Sequence, residues 1–413
     1  MKRAAVLGLI LLPMAASAQL LPQALPRAGD LLGRAGGSVG ELTDLPRSVA
    51  ALASDRLTRL TALVRANPRE IALDDAGDPV RAGEVLVIDA DDVTIAAAAA
   101  AGFRLAGRED LDGLDLAVAR FSVPPGQSLA QAVRRLRKRA PDKQVSADQL
   151  HFASGTSGAA APPAAVPAAA PPGARIGIID GGVSGTAGIG GTIMARGFAT
   201  GAPHPSDHAS AIAALLFGTG GASGTALNAD VYGTDPAGGG ALAIARALAW
   251  LSALRVPVTV ISLVGPANPL LARAVAAAQG RGMIVVAAVG NDGPAAPPAF
   301  PASYPGVIAV TGVDAKNRAL IEAGHALHLD YAAPGADLIA TGAKGRAMRL
   351  RGTSFAAPLA AARIVRFHRV ADPAGIPAAL RAADAEAVDL GPRGADRRFG
   401  RGLLCGGCRT PAR

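Results

Sequence analysis

Four short apolar runs, at residues 176–179, 258–263, 283–289 and 307–313, are too brief for free-standing helices and lack the alternation of half-exposed strands. They fit strands buried on both faces. Helix-like stretches at 208–217, 239–254 and 269–281 separate them, and this alternation predicts an α/β fold with a doubly wound, mostly parallel sheet. In such sheets functional groups gather beyond the carboxyl ends of the strands, and the first run ends there in Asp180, followed by Gly181 and Gly182. Half of the residues are hydrophobic but only 3% are aromatic, so the core must come from Ala, Val, Leu and Ile. With 413 residues there is room for two or three domains, and disorder throughout is excluded.

Upstream of this region the chain changes character several times. Residues 1–18 read as a secretory signal: Lys2 and Arg3, an apolar stretch, then Ala16-Ser17-Ala18 before a mature start near Gln19. The apolar stretch is too short to span a membrane, and no later segment supplies a span. Residues 19–82 form an extension whose one periodic part, 48–67, is an amphipathic helix ended by Pro68. Residues 83–152 read as strands 84–88, 103–107, 114–122 and 145–152 with helices 93–101 and 128–139, the β-α-β-β-α-β order of a small ferredoxin-like α+β unit. Residues 153–174, nearly all Ala, Pro, Gly and Ser, read as an extended linker. The main domain then runs over 175–404, and 405–413 is a cysteine-containing tail.

The net charge of +9 raises the question of nucleic acid. Residues 1–172 carry nineteen basic and eighteen acidic side chains, so the excess lies in 173–413, with twenty-two against fourteen. Few aromatic residues accompany those arginines, and a solvated basic face is the expectation rather than a nucleic-acid site. Cys405 and Cys408 cannot complete a zinc site between them, and in an oxidising compartment they are expected to close a local disulfide. No metal site is expected from the side-chain pattern.

The most specific motif is Gly352-Thr353-Ser354-Phe355-Ala356-Ala357-Pro358, a serine at the start of a small-residue helix, with Thr353 as its expected cap. Free N–H groups there favour the negative charge of an acyl-transfer intermediate. Together with Asp180 and the Asp207-His208-Ala209-Ser210 segment, the order Asp, His, Ser resembles that of subtilisin-like serine proteases, the subtilases, over roughly 175–404.

That resemblance implies that Asp180 orients His208, that His208 is the general base, and that Ser354 is the nucleophile. Asn291, with the backbone N–H of Ser354, would form the oxyanion hole. Substrate would lie between strands carrying Ser262, Leu263, Val264 and Gly265 on one side and Ala288, Val289 and Gly290 on the other. Val264 stands where the family usually has Gly, and a small or basic residue is expected before the cut, with Asp292 at the rim of its pocket. No cofactor is required for the chemistry, and structural calcium is left open. The 83–152 unit resembles the family's propeptide, an intramolecular inhibitor whose last strand lies near the cleft. The expectation is an exported serine endopeptidase, periplasmic or extracellular, acting on protein or peptide substrates; the alternative is a catalytically silent subtilase fold used as a binding module.

Overall fold

The computed structural model describes residues 49–160, 166–219 and 224–409. The signal expected over 1–18 lies outside them. At the centre is a seven-stranded sheet in the order Thr192–Gly197, Gly224–Asp230, Ala174–Asp180, Val258–Ile261, Ile284–Ala288, Ile308–Val313, Tyr331–Pro334. All of its ladders are parallel. The apolar runs are strands because each serves two cores at once. Ile176, Ile178, Val258, Val260, Val286 and Ala288 face the helices Asp207–Phe217 and Thr353–Phe367. Ile179, Ile261, Val285, Ala287 and Val289 face Ala241–Ala253 and Pro269–Gly280. The period of two therefore produces no polar face, and each fully buried Ile or Val contributes about 1.5–3 kcal/mol. Gly177 allows a close approach: a Cβ there would lie 2.5 Å from Thr259 Oγ1 on the neighbouring strand and 2.9 Å from Leu251 Cδ1 on the covering helix.

Strand order reverses between Ala174–Asp180 and Val258–Ile261, which makes that junction the switch point where a crevice opens. Asp180 ends the first of these two strands.

The N-terminal unit has its own antiparallel sheet, in the order Arg104–Leu111, Leu116–Ser122, Glu84–Ile88, Val145–Ser146. Its helices are Asp92–Ala100, capped by Asp91, and Leu129–Arg139, which opens with a capping box between Ser128 and Gln131. The helix Val49–Ala66 brings Leu63 against Ile71, Leu150 and Ala237.

The single strand expected over 145–152 is broken. It leaves its sheet after Ser146 because other partners take its backbone: Asp148 O accepts from Arg81 N, Leu150 N donates to Pro79 O, and the buried Asp148 carboxylate accepts from Leu242 N. Phe152–Ala153 then pairs antiparallel with Leu263–Val264, and Thr156–Ala159 with Ala347–Arg351. Part of the expected 153–174 linker is thus ladder rather than free chain, since its small residues fit a narrow cleft. The basic face is also less free than expected. Arg363 pairs with Glu386, and Arg401 with Asp330 and Asp384. Cys405 and Cys408 are joined in a disulfide.

Candidate active site

Asp180 is fully buried, and its Oδ1 accepts a 2.8 Å bond from Gly181 N. His208 is the second residue of the helix Asp207–Phe217, whose cap, Ser206, accepts from Ala209 N. Its Nδ1 lies 3.1 and 3.0 Å from the two Asp180 oxygens, and its Nε2 lies 3.0 Å from Ser354 Oγ. The carboxylate assigns the ring hydrogen to Nδ1, which leaves Nε2 to accept from the serine hydroxyl. Phe355 packs a tilted ring 5.1 Å from the buried imidazole. His204 is exposed and stands outside this line; its backbone N–H donates to Asp230.

Ser354 is the second residue of the helix Thr353–Phe367, and the cap is Gly352 rather than the expected Thr353. Thr353 instead clamps the neighbouring strand end: its Oγ1 donates to Gly290 O and accepts from Gly290 N. Its backbone N–H donates to Asn291 Oδ1 at 2.9 Å, which turns Asn291 Nδ2 toward the serine end of the helix. That Nδ2 is buried without a partner, and a Cβ on Gly352 would come within 2.8 Å of it. A free buried donor beside a nucleophilic hydroxyl is placed to receive a developing oxyanion. Pro358 has no N–H for the Ser354 carbonyl four residues earlier, so that carbonyl accepts from Ser262 Oγ at 2.8 Å instead.

The chain itself runs through the crevice. Leu263 is opposite Ala153 and Val264 opposite Phe152, while Thr156 is opposite Arg351. Ser154 and Gly155 bridge the two ladders, and a Cβ on Gly155 would lie 2.6 Å from Ser354 Oγ. His151 N donates to Gly239 O, and Tyr232 Oη donates to His151 O. The expected second flanking strand is not paired with this segment. Val289 N donates to Val310 and Gly290 N to Thr353, because Ala288 and its neighbours belong to the central sheet. Gly265 pairs with Phe300 rather than with the tail.

The family model of the subtilase family matches residues 174–402, more than half of the chain. The chain belongs to the subtilase family. Among curated relatives, the minor extracellular protease Epr of Bacillus subtilis is 33% identical over 190 residues, 45% of this chain and 29% of Epr. The alkaline protease of Alkalihalobacillus alcalophilus is 31% identical over 231 residues, 52% of this chain and 60% of that protein. Subtilisin DY of Bacillus licheniformis is 32% identical over 199 residues, 45% and 72% respectively. The match thus spans under two thirds of the first two relatives. Fervidolysin from Fervidobacterium pennivorans, a keratinolytic enzyme related to subtilisin, shares the fold with a TM-score of 0.64 and 17% identity, covering 82% of this chain and 62% of its own. The epidermin leader peptide processing protease of Staphylococcus aureus does so at 0.58 and 15%, covering 78% and 97%.

The subtilase site contains residues that motif reading did not single out. Asn228 fixes the turn after Asp180: its Oδ1 accepts from Val183 N and its Nδ2 donates to Gly181 O. A lone amide inside the apolar strand Gly224–Asp230 was the available signal. Asp230, raised by burial, gathers the backbone N–H groups of His204, Tyr232 and Gly233. Asp292, expected at the rim of a substrate pocket, is engaged by Arg56 and Arg59 of the chain's own helix Val49–Ala66.

Proposed function

We propose that this subtilase is a serine endopeptidase, exported by residues 1–18 to the periplasm or beyond the cell, and made as a precursor whose N-terminal unit blocks the cleft until the chain cuts itself. Ser354 attacks the scissile carbonyl, His208 takes the hydroxyl proton and returns it to the leaving amine, and Asp180 holds the imidazole in the required tautomer. Asn291 Nδ2 and Ser354 N–H hold the tetrahedral oxygen; one such donor is worth about 3 kcal/mol in sites of this kind. Substrates are proteins or peptides laid along Leu263–Val264. The observation that carries the reading is the unbroken line Asp180–His208–Ser354 ending beside an unpartnered Asn291 Nδ2.

Autoinhibition is supported by residues 152–159, which occupy the crevice on both sides of Ser354. The same coverage favours a second reading, a silent subtilase fold used as a binding module in which the unit never leaves. No helix among the described residues is long and apolar enough to cross a membrane. Purified full-length protein should shorten itself and label with a fluorophosphonate, and Ser354→Ala should abolish both. Stable, unlabelled wild-type protein would support the binding module instead.

A further inference from the structure

The crevice holds a peptide whose register can be counted, and it adds to the proposed protease activity, on which this inference rests, both a bond and a preference. On one side of Ser354 the ladder ends at Ala153 opposite Leu263; on the other it starts at Thr156 opposite Arg351. Only Ser154 and Gly155 span the gap, with Gly155 against the serine hydroxyl and Ser154 directly after Ala153, the last residue of the ladder. Opposed residues of an antiparallel pair put their side chains on one face, and alternate residues share it. Ser154 therefore faces the same side as Val264, and its Oγ is buried without a partner. On that side Val264 reaches across to the neighbouring strand end: a Cβ on Gly290 would meet both Val264 γ-methyls at 3.3 Å. The isopropyl group thus narrows the slot between the two walls at that level.

We infer that the chain's first cut is the Ser154–Gly155 bond, and that Val264 restricts the residue before any cut to a small side chain such as Ser, Ala or Gly. Ser354 Oγ adds to the Ser154 carbonyl carbon as its proton passes to His208 Nε2. The bond to Gly155 N breaks as that proton is returned to the amine. Water then frees the Ser154 carboxylate and restores Ser354. Glycine after the cut is consistent with the crowding at this point, where any side chain at 155 would collide with Ser354 Oγ and with Phe355, 3.0 Å away.

The test has two parts. Intact mass and terminal sequencing of the earliest products of full-length protein should give one fragment ending in Ser154 and another beginning at Gly155. Peptides Phe-Ala-X-Gly with X as Ser, Ala, Phe or Arg should then be cut with kcat/KM at least about tenfold higher for Ser and Ala than for Phe or Arg. Val264→Gly should lower that ratio by about tenfold or more, and Val264→Ala by an intermediate factor, with fluorophosphonate labelling showing that each variant is folded. A first cut at another bond, equal cleavage after Phe in the wild type, or labelled variants with unmoved ratios would overturn the inference while leaving the protease reading intact. Absence of both labelling and cleavage in the wild type would instead sink the protease reading, and this inference with it.

Discussion

The two main sheets of the molecule are buried in different ways. The seven-stranded sheet is covered on both faces by helices of its own domain. The four-stranded sheet of the N-terminal unit is covered by its own helices on one face only, where Val85, Val87, Ala119 and Phe121 meet Leu129, Val133 and Leu136. Its other face, Leu86, Ile88, Leu116 and Val118, belongs to the core around the helices Ala241–Ala253 and Pro269–Gly280. One sheet is self-sufficient, while the other borrows its second layer from the domain it packs against. Docking of the N-terminal unit is therefore part of its folding, and whatever weakens the shared layer releases the unit and unfolds it together.

The strongest way to break this arrangement is Leu86→Asp, at a fully buried position of the borrowed face. Loss of the side chain and burial of an unpaired carboxylate should cost about 4 kcal/mol or more. In a Ser354→Ala precursor, which cannot cut itself, urea unfolding should split into two transitions with the N-terminal unit first. A single transition at the unaltered midpoint would show that the two layers are independent.

Arg81→Met should come next. Arg81 Nη2 donates to Asp235 Oδ2 and Ala237 O at 2.7 and 3.0 Å, and its Nε lies 3.7 Å from Asp148 Oδ2. Both carboxylates are buried, so removal of the guanidinium strands them, with an expected loss of about 3 kcal/mol in the first transition of the same precursor. Burial already pushes the Asp148 carboxyl up, and its protonation at low pH should relieve part of that loss. A loss that does not shrink as the pH is lowered would contradict this account.

These contacts also show what could be read from the sequence. Asp180, Asn291 and Ser354 were legible because each sits in a local pattern: a strand end, a strand-to-turn Asn, a helix start. The run Glu84–Ile88 was legible as a strand, but the cover on its second face was not, because the helices that supply it lie far along the chain. The break after Ser146 was not legible, because it depends on Leu242 N–H and on backbone at Pro79 and Arg81. Thr353 had the composition of a cap, and only the approach of Gly290 makes it a clamp.

His151 sharpens the comparison through pH. Its ring is fully buried where the tail leaves the unit for the crevice, with Nδ1 3.3 Å from Gln149 O and Nε2 unpartnered, and burial pushes its pKa down to about 4. Tyr232, whose hydroxyl contacts the His151 carbonyl, is held protonated by burial. Above pH 6.5 the imidazole is neutral both docked and free, and its docking carries no proton penalty. As pH falls, the free form gains a proton that the docked form refuses until about pH 4, so docking weakens by about 2 kcal/mol at pH 5. Asp148, with its raised pKa, acts in the opposite direction. The decisive quantity is thus the difference between wild-type and His151→Phe precursors. The variant should lack the acid-induced weakening, and parallel pH profiles would exclude His151 as its source.

The smallest effect is expected where the extension's helix crosses the rim of the crevice. Arg59 donates to Asp292 at 2.5 Å, but it is 54% exposed, and Arg56 reaches the same carboxylate at 3.4 Å. Arg59→Ala therefore leaves Asp292 with a partner, and the apolar contact of Leu52 on Gly293 is untouched. An exposed pair of this kind is worth less than about 1 kcal/mol, and about 0.5 M salt should erase most of it. Arg81→Met, whose carboxylates are buried, should keep most of its loss at the same salt. If Arg59→Ala instead cost as much as Arg81→Met and ignored salt, the rim helix would be a principal lock of the precursor, and the borrowed sheet face would lose its place as the dominant contact.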